Sequence, residues 1–267
     1  MSHDRPGPGI PHHPVRRPYL ALAALALAIV GVLMVALAGP GTRFGWWHFR
    51  QAFSVMRWGG WLGLAAIAVA VVAALLARRS RSRAGLGIAL VALAIGVAAY
   101  ALPWNWRRGA REVPPIHDIT TDFADPPQLE QSVALRDTVE GMNPAAYEGD
   151  SVAALQRQAY PDIRPVMLAL PPQEAYGAAY EAAREMGWEI LDADPRRMTV
   201  EALDRTRWFG FEDDVVIRVR PASGISRIDI RSVSRVGRSD LGKNAERIRA
   251  YVRRLREKHP DAVADPG

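Results

Sequence analysis

WFGFEDDVVIRVRPASGISRIDIRSVS, Trp208–Ser234, is the stretch that decides the fold. Two runs within it, DVVIRV (Asp214–Val219) and SRIDIRSVS (Ser226–Ser234), alternate apolar and polar residues with the period of a β-strand, and Gly224 marks a turn between them. A connection this short joins antiparallel neighbours. In the second run the alternation puts Arg227, Asp229 and Arg231 on one face and Ile228, Ile230 and Ser232 on the other, the pattern of a half-buried strand.

Working outward, WEILDAD (Trp188–Asp194) and MTVEAL (Met198–Leu203) read as two more strands, and RPVMLAL (Arg164–Leu170) as an earlier one. Pro171 and Pro172 open a helix that runs to about Met186, where the missing proline N–H costs nothing. Tyr176, Ala179, Tyr180 and Ala183 recur at helical spacing along it, and Gly187 stops it. A last helix, from about Asp240 to Lys258, presents Leu241, Ala245, Ile248, Val252 and Leu255 to the sheet, with Ser239 or Asp240 as its cap. The order β-α-β-β-β-β-α predicts a soluble α+β domain over residues 112–267, mainly antiparallel, with helices on one face. Its opening, REVPPIHDITTDFADPP (Arg111–Pro127), has the proline and Asp/Thr content of extended backbone and turns.

Charge divides the chain before the strands do. Residues 1–111 carry thirteen arginines and one acid, Asp4, whereas residues 112–267 carry twenty-one Lys and Arg against twenty-seven Asp and Glu. The high pI therefore arises in the first part, where arginines flank apolar runs, and it does not point to nucleic acid. Three such runs, about 19–38, 58–77 and 85–102, are long enough to span a bilayer, giving a membrane module over 19–111 behind a cytoplasmic tail of residues 1–18. The first is read as an uncleaved span, with a signal peptide ending at Ala36-Leu37-Ala38 as the alternative. The loop RRSRSR (Arg78–Arg83) has four arginines and no acid, which places it inside and the 112–267 domain outside, on the periplasmic side of a bacterial inner membrane. Trp46, Trp47, Trp58, Trp61, Trp104 and Trp106 then fall at one membrane interface, as indole rings prefer. Arg43, Arg50 and Arg57 recur every seven residues opposite Phe49, Phe53 and Met56, which suits either an amphipathic helix lying in the membrane plane or an irregular tryptophan-rich loop.

Chemistry is mostly excluded. The chain has no cysteine, so thiol catalysis, thiolate metal sites and disulfides are absent. His117 is the only histidine of the 112–267 region apart from His259 near its end, and Ser232, Ser234 and Ser239 lack a nucleophile-elbow context. His117, Asp118, Asp122 and Asp125 match no cation-binding spacing, and no metal or cofactor is expected. Glu212, Asp213 and Asp214 are adjacent on a strand and cannot share a reacting atom; ion pairs with Arg205, Arg207, Arg218 or Arg220 are the expected role. Residues 218–258 hold thirteen cations and four acids while 112–194 hold four against sixteen, so one end of the domain should attract anions. Arg235, Arg238 and Lys243 around the start of the last helix are the candidate site for an anion or lipid headgroup.

IHDITTD (Ile116–Asp122), AYPDI (Ala159–Ile163), MGW (Met186–Trp188), TRWFGFEDDVVIRV (Thr206–Val219) and SRIDIRSVSRVGRSDLGKNAERIR (Ser226–Arg249) together resemble the DUF1499 family. The resemblance implies a bacterial or plant domain of unknown function and carries no catalytic residues across; the three-span module departs from the short family members. The expectation is a non-catalytic binding or scaffolding module anchored in the envelope, whose partners are the lipid bilayer, an anionic lipid or an envelope protein. An envelope hydrolase drawing on the Asp, His and Ser residues of the domain is the alternative.

Overall fold

A computed structural model describes residues 18–136 and 141–265. They fall into two units: the chain up to Ala38 with Arg50–Trp104, and Gly39–Phe49 with the chain from Asn105 onward.

The first unit is built from three helices, α1 (Tyr19–Arg43), α2 (Phe49–Arg79) and α3 (Arg83–Glu112), each long and apolar enough to cross a membrane; their ends at Gly39–Arg43, Phe49 and residues 105–112 belong to the second unit. Their contacts use the smallest side chains. Ala21, Ala73 and Ala89 form one layer and Ala24, Ala70 and Ala92 the next, while Leu33, Val72, Leu75 and Leu90 stay exposed. A Cβ added at Gly63 would lie 2.8 Å from both the Ala99 Cβ and the Gly96 carbonyl oxygen, so backbones approach where side chains are missing. Small residues inside and large ones outside is the packing expected where the surrounding medium is itself apolar.

The in-plane helix does not form as a separate element. Arg50 and Arg57 belong to α2, which runs unbroken from Phe49, and Arg43 ends α1, leaving Phe44–His48 as the connection. No proline interrupts the chain between Phe49 and Trp58, so the helix of the second span simply starts earlier. The third helix likewise continues past Leu102, through Pro103, to Glu112.

In the second unit the expected strands and helices are all present: β2 (Val166–Leu168), α6 (Pro172–Glu185), β3 (Glu189–Asp194), β4 (Thr199–Arg205), β5 (Glu212–Ala222), β6 (Ile225–Ser234) and α7 (Lys243–Lys258). Every pairing is antiparallel, in the order β3-β4-β5-β6-β2, with a last strand β7 (Val263–Ala264) beyond β2. The remaining elements are β1 (Asp118–Thr120), α4 (Gln131–Arg136) and α5 (Asp150–Ala159). β1 and β2 share one side of β6, β1 against Arg231–Val233 and β2 against Ser226–Ile228. The side chain of Gln156 on α5 stands in for a strand neighbour, donating to the Thr120 carbonyl (2.7 Å) and accepting the Thr120 N–H (3.0 Å).

The two sheet faces differ in chemistry. Val200, Ala202, Val215, Ile217, Ile228 and Ile230 form the core with α6 and α7, where Trp188 stacks on Tyr251 at 5.5 Å. The opposite face is also covered, so β6 is buried on both sides instead of half-buried. Its cover is the segment between β1 and α5: Leu129 and Val133 pack on Val216 and Val233. Glu201, on β4, accepts the backbone N–H groups of Glu130, Gln131 and Ser132 at 2.8–2.9 Å and so anchors the start of α4. A carboxylate at a helix start satisfies donors that the helix itself cannot.

Candidate functional site

Strand alternation splits the acid run of β5 between the two faces. Asp213 points to the helix side and pairs with Arg247 of α7 at 2.5 Å; Asp214, with no exposed surface, points to the other and pairs with Arg136 of α4 and with Arg235, both at 2.7 Å. Glu212 pairs with Arg205 at 2.8 Å and with Arg235. The ion-pair role is therefore as expected, but of the four arginines named from sequence only Arg205 supplies it. Arg218 and Arg220 pair instead with Asp122, Asp125 and Asp229, and the Arg207 carbonyl accepts a hydrogen bond from Arg43.

Around the start of α7 the hydroxyls and the amide form a closed network. Ser232 donates to the Asn244 Oδ1 (2.7 Å), and Asn244 Nδ2 donates to Ser234 Oγ (3.0 Å) and to the His117 carbonyl (2.8 Å). His117 thus meets the serines through its backbone, while its ring lies 3.9 Å from Glu148. Asp118 is paired with Arg231 and Asp122 with Arg218, Arg220 and Arg227. Among the described residues no group of three His, Asp or Glu side chains is placed to hold a metal ion.

The three cations expected around the helix start are in different situations. Arg235 is buried and committed to Asp214 and Glu212, Lys243 pairs with Glu246 at 2.6 Å, and Arg238 is exposed. The donors of that helix start are also taken: Asp240 accepts the N–H groups of Gly242 (2.8 Å) and Asn244 (2.7 Å). Burial pushes the Asp240 carboxyl above its ordinary range, against those two N–H groups, which act to lower it. The charge asymmetry of the sequence is largely consumed in folding, because carboxylates from the acidic half (Asp118, Asp122, Asp162, Glu185) pair with cations from the basic half (Arg231, Arg220, Arg249, Lys258).

Arg253 and Arg256 lie outside this accounting, in a groove that Arg249 shares. Between α7 and the β2–β7 edge lies an open groove of about 510 Å³, with Ile163, Val166, Ile248 and Val252 below and Arg164, Arg249, Arg253 and Arg256 around it. Asp162 is the one acid lining it. Ile248 and Val252 are legible in the sequence as core, and the i, i+4, i+7 spacing of Arg249, Arg253 and Arg256 beside them is the signal for the groove.

Residues 118–255 match the family model described as Protein of unknown function (DUF1499), from β1 to the last turn but one of α7. The chain belongs to the DUF1499 family. No curated protein matches it. The matched stretch of the DUF1499 domain begins after α3, so the three long helices lie outside it.

The expected interface residues are distributed over both units. On α2 and α3 of the first, Trp58, Trp61 and Trp104 are exposed, and Tyr100 stacks on Trp104 at 6.0 Å. In the second, Trp46 is exposed and meets Trp47 edge-on at 6.0 Å. There the β4–β5 hairpin tip of the DUF1499 domain joins them: Trp106 stacks on Phe209 (5.3 Å), Phe209 on Phe211 (5.0 Å), and Phe211 meets Phe49 edge-on (5.8 Å). Phe209 is buried by this stack and Trp208 stands exposed beside it. The aromatics of TRWFGF have no periodic pattern that would mark them in the sequence.

Proposed function

We propose that this protein is a membrane-anchored, non-catalytic binding module, multi-pass in a bacterial inner membrane, with its DUF1499 domain on the periplasmic side. The observation that carries the reading is the state of the polar clusters: Asp118, Asp122, Asp213, Asp214 and Glu212 are each tied to arginine, and Ser232 and Ser234 to Asn244. A hydrolase needs a nucleophile, a base within its reach and a group to orient that base. Here the hydroxyls and carboxylates instead knit α4 and α7 to the sheet. The arginine-only loop Arg78–Arg83 and the tryptophan placement support the orientation.

The test is native mass spectrometry of the full chain extracted from its own membrane in mild detergent. A stoichiometric, non-covalently bound lipid or envelope partner is the expected result. A hydrolytic activity that Asp214→Asn abolishes while leaving the melting temperature unchanged overturns the reading.

A further inference from the structure

We infer that the groove between α7 and the β2–β7 edge is a binding site for an alkyl phosphate, a phosphate head carrying a short apolar tail. The inference rests on the binding-module reading and names a ligand class for it. Arg249, Arg253 and Arg256 stand at i, i+4 and i+7 on α7, on one helix face, and Arg164 joins them from the chain leading into β2. Like charges at this spacing weaken a helix unless something offsets them. Only Arg249 has that offset, a two-pronged pair with Asp162 (2.6 and 2.7 Å). Arg253 makes no ion pair among the described residues, and Arg256 reaches only the Ala262 carbonyl, through Nε at 2.9 Å. Both are exposed, in a domain whose other arginines mostly end on carboxylates.

The lining holds four arginines and one acid, Asp162, which Arg249 already engages. Planar guanidinium forks pair with phosphate through parallel N–H···O bonds, and they favour a doubly charged head over a neutral one. Below them Ile163, Val166 and Ile248 are buried members of the domain core, and Val252 is the partly exposed apolar side chain over them. Val252 and the arginine stems distinguish the site from one for a bare anion: they offer a tail the apolar surface that water would otherwise cover. About 510 Å³ lies within the range of small-molecule sites and admits a head and several methylenes.

The chemistry is shared by a membrane phospholipid and by a free phosphoester, and the experiment separates them. The full chain, in nanodiscs of phosphatidylcholine, is titrated calorimetrically with hexyl phosphate, inorganic phosphate and hexanol. Hexyl phosphate should bind about tenfold more tightly than inorganic phosphate, since burying even two methylenes contributes that much, and hexanol should not bind. Arg253→Gln/Arg256→Gln should weaken hexyl phosphate by about tenfold or more with an unchanged melting temperature, while Arg196→Gln/Arg238→Gln, exposed cations outside the groove, should leave it intact. Phosphatidic acid added to the nanodisc suppresses the titration if a membrane lipid already fills the groove; persistence identifies a free phosphoester. Equal affinity for inorganic and hexyl phosphate, no binding, or an unchanged affinity in the groove variant overturns the site. A lipid or protein that still copurifies with that variant would then leave the binding-module reading standing on another surface.

Discussion

Arg231 has no exposed surface, and its guanidinium donates to both oxygens of Asp118 (2.9 and 2.7 Å) and to the carbonyls of Pro127 and Ala145. It also lies 5.5 Å over the Tyr147 ring, whose hydroxyl burial and the Asp118 charge push up to about 12. A buried charge held this way contributes little net stability as a pair but leaves a large penalty if half of it is removed. Asp118→Ala should therefore destabilise by about 3–5 kcal/mol, and Asp118→Leu/Arg231→Met by much less, measured by thermal unfolding of the full chain. A double variant as damaged as the single one would show the pair to be essential in itself. Asp122 supplies a pH-dependent counterpart. Burial acts to raise its carboxyl, but the Asp125 and Ala124 N–H groups with the Arg220 and Arg227 guanidiniums prevail and hold it below its ordinary range; the Arg249 bonds lower Asp162 likewise. The unfolded state therefore takes up protons first, so this stability is present above about pH 3.9 and is lost as pH falls through the lowered folded values. Melting temperature should drop between about pH 4 and pH 2, and Asp122→Asn should flatten part of that slope. A slope unaltered by the substitution assigns it to other carboxylates. Period-two alternation already set Arg227, Asp229 and Arg231 on one face; that the face is dry depends on the aperiodic segment between β1 and α5.

The β4–β5 hairpin shows how an element can serve two purposes. Its strands extend the sheet, and its tip, Thr206–Phe211, closes on itself through the Thr206 N–H to Phe211 carbonyl bond (2.8 Å) and the Gly210 N–H to Thr206 carbonyl bond (2.9 Å). Gly210 adopts a φ of 70°, where a side chain would be strained, which lets the two phenylalanines lie parallel across it. Trp106 completes the stack from the end of α3. Phe209→Ala should cost about 3–5 kcal/mol of full-chain stability in detergent, the usual range for a buried phenylalanine. A double-mutant cycle with Trp106→Ala should return a coupling of about 0.5–1.5 kcal/mol. Strict additivity of the two substitutions would mean that the stacked geometry contributes nothing beyond burial. Elements with a repeating pattern (α6, α7 and the four consecutive strands β3 to β6) could be drawn from sequence to within a few residues. β1, α4 and β7 could not, because two or three paired residues, or a helix of six anchored by Glu201, have no period of their own; α5 has ten residues and buries Val152, Ala153 and Gln156 on one face, a polar helix whose short apolar stripe is faint in the sequence.

At the scale of the whole molecule, the proposed orientation makes a direct prediction. An alkaline phosphatase fused after Gly267 should be active, and a reporter that works only in the cytoplasm should be silent at the same site. The reverse pattern would put the DUF1499 domain on the inner side and would require the Arg78–Arg83 loop to face outward. The same result bears on Arg43, Arg50, Arg57, Arg107, Arg108 and Arg111, which the proposed orientation puts on the outer side against the usual bias.

By itself the sequence determined the class of the protein: three apolar stretches that satisfy their own backbone as helices, then alternating strands bracketed by two amphipathic helices. Both follow from local physics, since hydrogen-bonding need and side-chain period act over a few residues at a time. Partner choice acts across the chain. Arg205 and Glu212 flank the six-residue tip and Arg235 follows β6 beside Glu212, so hairpin pairing alone brings both arginines to the acid run, whereas Arg136 and Arg247 reach it only after α4 and α7 have packed on opposite faces. The tertiary structure alone decided which arginines are spent inside and which are left along a groove, because a buried charge must find a fixed counter-charge while an exposed one need not.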